Sequence, residues 1–372
     1  MNPNIVETIN VAREVAWLPW AVQYFFLIGL SYGAYLLSLP GIVFRRPGWA
    51  GISRLALLGA LVCGLAAPVA LLADLHQPGR FWHFYAYFTP TSWMSWGAFF
   101  IPVYLGGLLV YAWLALRPEL ARHAASGGKL AGLAGVLAYG GHESRGALKA
   151  AALLAGLGAV LVALYTGAEV AVIQARPLWN TPLLPLQFAV TAFAGAVGLA
   201  LLFNRFGVRD AAANRRMAGV LAASQVVALA VGALWLALGV SGISPVHAQA
   251  LAEVGPSANW QLSAAWAVAA TVLTGVLAWK RPGAGLLIGL LALHSAWMMR
   301  WSIFIGGQEV PKTGAGYYSY SLPLGPEGLL GIVGTAGLWV FLFVLITTLL
   351  PLERLAAGSP SLAAGSPTKA GA

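Results

Sequence analysis

Apolar runs of about 20 residues recur along the whole chain, and each is long enough to cross a bilayer core of roughly 30 Å. Of the 372 residues, 59% are hydrophobic and only 9% are charged, and the mean hydropathy is +0.79. Ordinary soluble domains carry about 25% charged residues. This composition excludes a water-soluble monomer, and it is too apolar for an intrinsically disordered protein. The sequence therefore predicts a polytopic membrane protein.

The spans must be helices, because every backbone N–H in lipid needs a partner within its own segment. We predict nine of them, at residues 17–44, 55–73, 92–116, 148–173, 183–204, 217–240, 260–279, 284–304 and 328–350. The predicted fold class is an all-α transmembrane helix bundle. We assign residues 1–354 to one transmembrane domain. The remaining tail, 355–372, contains Leu-Ala-Ala-Gly-Ser-Pro twice, a composition typical of a flexible end.

Basic residues are concentrated on one side of the predicted bundle. Sixteen of the 21 Lys and Arg residues lie in the 1–2, 3–4, 5–6 and 7–8 loops and in the C-terminal segment. Because cytoplasmic loops carry the excess of Lys and Arg, we predict that the C-terminus is cytoplasmic and the N-terminus outside. The same distribution explains the net charge of +10 without a nucleic-acid partner.

Metal-ligating residues are too few for a resident redox metal. Cys63 is the only cysteine, which excludes a Cys-ligated iron–sulfur cluster or zinc site. A membrane haem usually needs two axial ligands from facing spans, and His294 is the only histidine well inside a predicted span. We therefore expect no haem and no metal site. If electrons pass through this protein, a quinone is the carrier and the metal centres belong to a partner protein.

Three loops on the predicted outer side combine Trp with charged and amide side chains. They cover residues 74–83, 176–182 and 306–314, whereas the cytoplasmic loops are basic and otherwise plain. This clustering predicts a docking surface, a ligand mouth, or both. An aromatic belt at the membrane surface is the alternative, and it explains the Trp residues but not the Asp, His, Gln, Glu and Arg residues beside them.

Tyr165 and Glu169 form the clearest candidate site within the spans. They are four residues apart near the outer end of span four, so they share one helix face. A phenol and a carboxyl at neighbouring depths can hold a quinone carbonyl and relay its proton. The alternative is an ion pair between Glu169 and Arg176, with Tyr165 as a belt residue.

Two further polar groups lie inside predicted spans. His294 is a candidate for proton transfer, and the alternative is a hydrogen bond between helices. Gln23, beside Tyr24 in span one, is a candidate for lining a quinone pocket. The alternative for Gln23 is again a helix-to-helix hydrogen bond, a common use of amide side chains in membranes.

At these positions the sequence resembles the NrfD/PsrC family, the membrane subunits of polysulfide, thiosulfate and tetrathionate reductase-type complexes. The matching segments are Tyr-Phe-Phe-Leu-Ile-Gly-Leu-Ser-Tyr-Gly at 24–33, Asp-Leu-His-Gln-Pro-Gly-Arg-Phe-Trp-His at 74–83, Tyr-Thr-Gly at 165–167, Arg-Pro-Leu-Trp-Asn-Thr-Pro at 176–182 and Arg-Trp-Ser-Ile-Phe-Ile-Gly-Gly-Gln at 300–308. The resemblance extends over roughly residues 17–320. It is most specific in Asp-Leu-x-x-Pro-x-Arg-Phe together with Pro-Leu-Trp-Asn.

The resemblance implies a haem-free, quinone-binding anchor in the bacterial inner membrane. It implies two partners, an iron–sulfur electron-transfer subunit and a molybdopterin catalytic subunit on the outer face. Menaquinol or ubiquinol would be oxidised near that face, with Tyr165 at the position of the family's quinone-binding tyrosine. Where the family has a histidine in span one, this sequence has Trp17, Trp20 and Gln23. Many members have eight spans, so the ninth departs from the simplest pattern.

These arguments assign residues to three roles. The catalytic candidates are Tyr165, Glu169, Asp74 and His294. The quinone-binding candidates are Gln23, Tyr24, Trp20, Tyr165, Arg176 and Trp179. The candidates for partner docking are His76, Arg80, Trp82, Arg300, Gln308 and Lys312.

Three alternatives for the function remain open. The direction of electron flow can be reversed, which makes the protein the quinone-reducing arm of a dehydrogenase. A secondary transporter is a second alternative, although the sequence has no clear internal repeat and its polar residues cluster at one face rather than at the midplane. A passive anchor without a quinone is the third.

Overall fold

The structure is a computed structural model that describes residues 15–140, 144–310, 318 and 320–357. Within these residues every regular element is a helix, and nine helices are long and apolar enough to cross a membrane. In sequence order they are α1 (Pro19–Ile42), α2 (Ala50–Asp74), α3 (Trp93–Ala125), α4 (Arg145–Ala171), α5 (Leu184–Phe206), α6 (Ala211–Val240), α7 (Ala258–Lys280), α8 (Gly285–Glu309) and α9 (Leu329–Leu349). The predicted fold class and span count are confirmed for the residues described.

Short helices occupy several of the connections. They are Pro78–Arg80 and His83–Ala86 between α2 and α3, Ala131–Leu137 between α3 and α4, Pro245–Val254 between α6 and α7, and Leu352–Ala357 after α9. Near its end, α8 widens into a π-helical turn at Ser302–Gly306. We use "outer end" for the end of the bundle where α2, α4 and α6 finish, after the orientation predicted from the Lys and Arg residues.

Several helices extend beyond their predicted bounds, and for α3 and α6 the reason is identifiable. α3 continues past residue 116 to Ala125 because its polar end is packed inside the protein, where Glu119 is 3% exposed. Arg54 and Arg122 both form ion pairs with Glu119. α6 begins at Ala211 rather than 217, because the Asp210 carboxylate accepts hydrogen bonds from the first backbone N–H groups of the helix.

The core of the bundle is formed by α1, α2 and α5. α1 packs against α2, α4 and α5, while α3 pairs with α4 and α8 pairs with α5. By contrast, only 11% of the most apolar stretch of α9 is buried, against 72% for α2. α9 is therefore a peripheral helix resting mainly on α2, and the other eight form the body of the bundle.

The last described residues differ from the predicted flexible tail. Residues 355–357 belong to the helix Leu352–Ala357, because Leu355 is fully buried and Ala356 lies against Gly51 of α2. The rest of the predicted tail, residues 358–372, lies outside the described residues.

Gln308 ties the segment before α1 to the end of α8. Its Oε1 accepts hydrogen bonds from the backbone N–H groups of Ala16 (2.8 Å) and Trp17 (3.0 Å). Its Nε2 donates to the carbonyls of Trp17 (2.8 Å) and Phe304 (3.0 Å). The side chain is 5% exposed, so these hydrogen bonds are part of the interior packing between α1 and α8.

We predict that Gln308→Leu loosens the start of α1. The change removes the acceptor of two partly buried backbone N–H groups, at a cost of about 0.5–1.5 kcal/mol for each hydrogen bond. Hydrogen exchange at Ala16 and Trp17 should accelerate, and the unfolding temperature in detergent should fall. Gln249→Leu is the control, because Gln249 is exposed and its side chain donates to the neighbouring Glu253. Equal exchange in the two variants would contradict the role of Gln308.

Candidate functional site

A cavity of about 290 Å³ opens at the outer end between α2, α3 and the loop that joins them. Its wall is largely apolar and includes Leu71, Leu72, Phe81, Phe84, Ala98 and Ile101, and Tyr165 of α4 completes it. We call it the Tyr165 cavity. Among its lining residues only Tyr165 and the exposed Tyr85 carry a polar side chain. The cavity therefore suits an apolar ring with few polar atoms.

Tyr165 reaches this wall because α3 has no side chain at Gly97. A Cβ atom at that position would lie 2.4 Å from two ring carbons of Tyr165. Tyr165 itself is 3% exposed. The close approach of ring and backbone fixes the Tyr165 side chain at the edge of the cavity.

Two polar side chains lie behind Tyr165, and each has an unsatisfied oxygen. Electrostatic interactions connect Tyr165 with Glu169, one turn further along α4, and with Tyr24 of α1. Tyr24 is fully buried and Glu169 is 7% exposed. Neither the Tyr24 hydroxyl nor Glu169 Oε2 makes a hydrogen bond of standard geometry, although both side chains are near enough to Tyr165 to interact with it. Buried polar groups are rarely left unpaired, so these two oxygens are unusual within the bundle.

Asp74 links this cluster to the outer end. Its Oδ1 accepts a hydrogen bond of 3.1 Å from the backbone N–H of Leu18, at the start of α1. A carboxylate is favourable there because a helix N-terminus carries a partial positive charge. Asp74 also interacts electrostatically with Glu169. The two carboxyl groups therefore belong to one electrostatic unit that includes Tyr165.

The ion pair between Glu169 and Arg176, considered above as an alternative, is not formed. Arg176 Nη1 instead donates to the backbone carbonyls of Gly307 (3.4 Å), Gln308 (3.0 Å) and Val310 (3.0 Å). Burial lowers the pKa of Arg176 from its ordinary value. Its guanidinium stabilises the end of α8, where helix carbonyls lack partners within the helix.

Trp179 makes a similar connection. Its Nε1 donates to the carbonyl of Ile303 (2.5 Å), and the Arg176 guanidinium lies 5.4 Å from its ring centre. Both residues of the 4–5 loop thus attach this loop to α8. Neither lines the Tyr165 cavity.

The span-one candidates other than Tyr24 face different helices. Gln23 Oε1 accepts a hydrogen bond of 3.2 Å from Trp297 Nε1 of α8. Trp20 packs beside α9, where a Cβ atom at Gly331 would lie 2.8 Å from its ring. In the structure Gln23 and Trp20 contact α8 and α9 rather than the wall of the Tyr165 cavity.

His294 connects two helices. Its Nε2 accepts a hydrogen bond of 2.8 Å from Trp266 Nε1 of α7. This is the helix-to-helix hydrogen bond that the sequence left open as the alternative to proton transfer.

The docking candidates fall into three groups. His76, Arg80 and Trp82 are exposed in the 2–3 loop. Arg300 and Gln308 are 1% and 5% exposed, so in this structure they lie inside the bundle and are not available to a partner. Lys312 lies outside the described residues.

Sequence reasoning pointed to the 2–3 loop as part of a ligand mouth, but it missed the contribution of α3 and the individual apolar residues of the wall. Phe81, Phe84, Ala98 and Gly97 were not singled out. The available signal was the pair of small residues Gly97 and Ala98 within an otherwise aromatic stretch of α3. Such a pair indicates close approach of another group in a membrane bundle. For metals, no group of three or more His, Cys, Asp or Glu side chains comes together among the residues that the structure describes.

Known proteins share much of this sequence. It matches the protein family described as polysulphide reductase NrfD over residues 7–312. The C subunit of tetrathionate reductase from Salmonella typhimurium is 36% identical over 349 residues, covering 92% of the present sequence and 94% of that protein. The C subunit of selenate reductase from Mesobacillus selenatarsenatis is 31% identical over 207 residues, covering 52% and 49%. The polysulfide reductase C protein of Wolinella succinogenes is 30% identical over 204 residues, covering 53% and 61%.

We predict that Gly97→Ala displaces Tyr165 from the cavity wall. The new methyl group would overlap the ring, and overpacking of this kind costs about 1–3 kcal/mol. A structure of the variant should show a moved Tyr165 ring, and its unfolding temperature in detergent should fall. Gly106→Ala is the control on the same helix, because a Cβ atom there meets nothing within 4 Å. An unmoved ring in the Gly97 variant would contradict the steric argument.

Proposed function

This protein belongs to the NrfD family, and on that premise we propose that it is the quinol-binding membrane anchor of a respiratory oxidoreductase complex. One observation carries the proposal. Tyr165 belongs to the wall of an apolar cavity, and the Tyr24 hydroxyl and Glu169 Oε2 behind it make no hydrogen bond of standard geometry.

The residues present fit a quinone head group. Its flat ring needs an apolar cavity, which the Leu, Phe and Ile side chains of the wall supply. Its carbonyl oxygens need hydrogen-bond donors, and the Tyr165 hydroxyl is one. Its reduced form needs a proton acceptor, and we assign this role to the Glu169 carboxyl group, whose Oε2 makes no hydrogen bond of standard geometry. When bound, a quinol supplies two electrons and two protons.

The protein's own residues hold the head group and move its protons. Tyr165 orients the head group by hydrogen bonding to a ring oxygen, and Tyr24 supports Tyr165 from α1. Glu169 accepts a proton at Oε2. Asp74, which interacts with Glu169 and lies at the outer end of α2, offers the next acceptor toward the outer surface. The apolar wall keeps water from the ring, so protons leave through these carboxyl groups.

The relatives support a multisubunit complex, and the exposed loop supports a docking surface. The similar proteins are named as subunits of tetrathionate, selenate and polysulfide reductases. From the family resemblance we propose an iron–sulfur partner that takes the electrons and a molybdopterin partner that uses them. The exposed 2–3 loop, with His76, Arg80 and Trp82, is the docking surface nearest the cavity. Residues 1–354 act as one transmembrane domain of the bacterial inner membrane, with the N-terminus outside.

Reverse electron flow would use the same residues. In a quinone-reducing arm, Glu169 donates the proton that it accepts in the forward direction, and Tyr165 holds the same ring oxygen. The relatives named as reductases favour quinol oxidation.

We predict that Tyr165→Phe lowers quinol oxidation about tenfold, the effect of losing roughly 1.4 kcal/mol of hydrogen bonding. The assay follows reduction of the partner's iron–sulfur clusters by a short-chain quinol in membranes that contain the whole complex. Tyr104→Phe is the matched control, because Tyr104 is fully buried and its hydroxyl pairs with Ser31. Assembly is checked by the recovery of both partners on purification. An unchanged rate in a fully assembled Tyr165 variant would refute the role of Tyr165.

We predict that Glu169→Gln slows quinol oxidation by about 100-fold or more, because proton transfer by a positioned side chain contributes about 10²- to 10⁴-fold. The amide keeps the size of the side chain but does not accept the proton. Binding of a quinone-site inhibitor should therefore change little. A variant that loses inhibitor binding and rate together would instead assign Glu169 to head-group binding alone.

A further inference from the structure

We propose that the outer end of α5, α6, α7 and α8 forms a second binding site, for a lipid-soluble quinone or quinol. The site is a cavity of about 190 Å³. Its wall includes Leu184, Val231, Trp235, Trp260, Met299 and Ile303. None of its lining residues is shared with the Tyr165 cavity, so the two sites stand on separate observations.

Two polar atoms at the wall of this second cavity have no partner. They are Oε1 of Gln187 on α5 and Oγ of Ser302 on α8, both buried and both from residues that line the cavity. Ser302 is the first residue of the π-helical turn, a distortion that occurs frequently at functional sites. The Ser302 hydroxyl can donate to a ring carbonyl, and Gln187 Oε1 can accept from a ring hydroxyl.

The third polar residue of the wall, Thr181, does have a hydrogen-bond partner. Thr181 Oγ1 is hydrogen-bonded to His247 Nε2 at 2.8 Å, and His247 Nδ1 is bonded to Ser244 Oγ at 2.6 Å. Burial lowers the pKa of His247, which favours the neutral ring in this series of hydrogen bonds. Of these three polar residues, only Gln187 and Ser302 therefore have a side-chain oxygen without a partner.

The shape and charge of the cavity select an aromatic head group over a phosphate. The indole rings of Trp235 and Trp260 lie with their centres 6.3 Å apart and offer flat surfaces to a ring. No Lys or Arg is among the described lining residues, so an anionic lipid head group would find no counter-charge. A ring with carbonyl or hydroxyl groups matches both properties.

A shallow, open groove outside the cavity, lined by apolar residues of α7 alone, suits a long apolar tail. It runs along the outward face of α7 over residues 264–276, about 18 Å at 1.5 Å per residue. Ala264 and Val268 line both the groove and the cavity, which makes the two continuous. Gly232 of α6 lines the cavity and is exposed, which leaves an opening between helices on the lipid side. A head group can thus enter sideways while its prenyl tail stays in the groove.

The test uses photolabelling of the whole complex in liposomes with a ring-azido ubiquinone, followed by mass spectrometry of the labelled peptides. We expect label on peptides that line the second cavity as well as on those of the Tyr165 cavity. Gly232→Leu places a side chain in the opening, where a Cβ atom meets nothing within 4 Å. This variant should lose label at the second cavity by about tenfold, equivalent to 1.4 kcal/mol in affinity, with labelling of the Tyr165 cavity unchanged.

The control is Gly219→Leu, on the same helix and equally open, which should leave both labels unchanged. The double variant Gln187→Leu, Ser302→Ala should weaken labelling of the second cavity without blocking its opening. The proposal is overturned if the second cavity is never labelled, or if Gly232→Leu leaves its label intact. It is also overturned if excess phosphatidylglycerol removes that label and unlabelled ubiquinone does not. Loss of label at the Tyr165 cavity alone would refute the proposed function and leave this inference standing.

Discussion

Inside a bilayer a polar group has no water to bind, so each one must find its partner within the protein. Most of the polar side chains in this bundle obey that constraint. Ser31 pairs with Tyr104, and Ser38 pairs with Tyr111. Among the described residues nine buried side-chain atoms have no hydrogen-bond partner, and we single out four of them, the oxygens of Tyr24, Glu169, Gln187 and Ser302. They divide into two groups, and each group lies beside a cavity at the outer end.

Arg300 shows how far a charged residue meets the same constraint, because both of its Nη atoms have partners and its buried Nε has none. Its guanidinium donates to Thr191 Oγ1 (2.5 Å) and to the carbonyl of Phe188 (2.7 Å), and it lies 4.9 Å from the Phe188 ring centre. The side chain is 1% exposed and joins α8 to α5. An arginine near the end of a span reads from sequence as a surface or docking residue. Its burial depends on carbonyl and ring partners more than 100 positions away, which no local pattern reveals.

The sequence predicted well the features that are set by the order of residues along the chain. The number of spans follows from bilayer thickness and hydropathy, and the shared face of Tyr165 and Glu169 follows from helical periodicity. It predicted poorly the contacts that depend on which helix faces pack against each other. Gln23 is next to Tyr24 in sequence, yet Gln23 binds Trp297 of α8 while Tyr24 interacts with Tyr165 of α4. The cavity wall from the 2–3 loop and α3 also required three-dimensional packing, because its apolar residues look like any others in a span.

The 2–3 loop has two surfaces with different environments. Phe81 contributes to the wall of the Tyr165 cavity and is still 49% exposed, as is its neighbour Trp82. A partner that binds this loop from outside would therefore contact Phe81, which also lines the Tyr165 cavity. Thermodynamic linkage then makes the two associations reciprocal, since any factor by which docking tightens ligand affinity is also the factor by which the ligand tightens docking. In a membrane anchor of this kind, assembly with the partner would change the affinity of the cavity for its ligand.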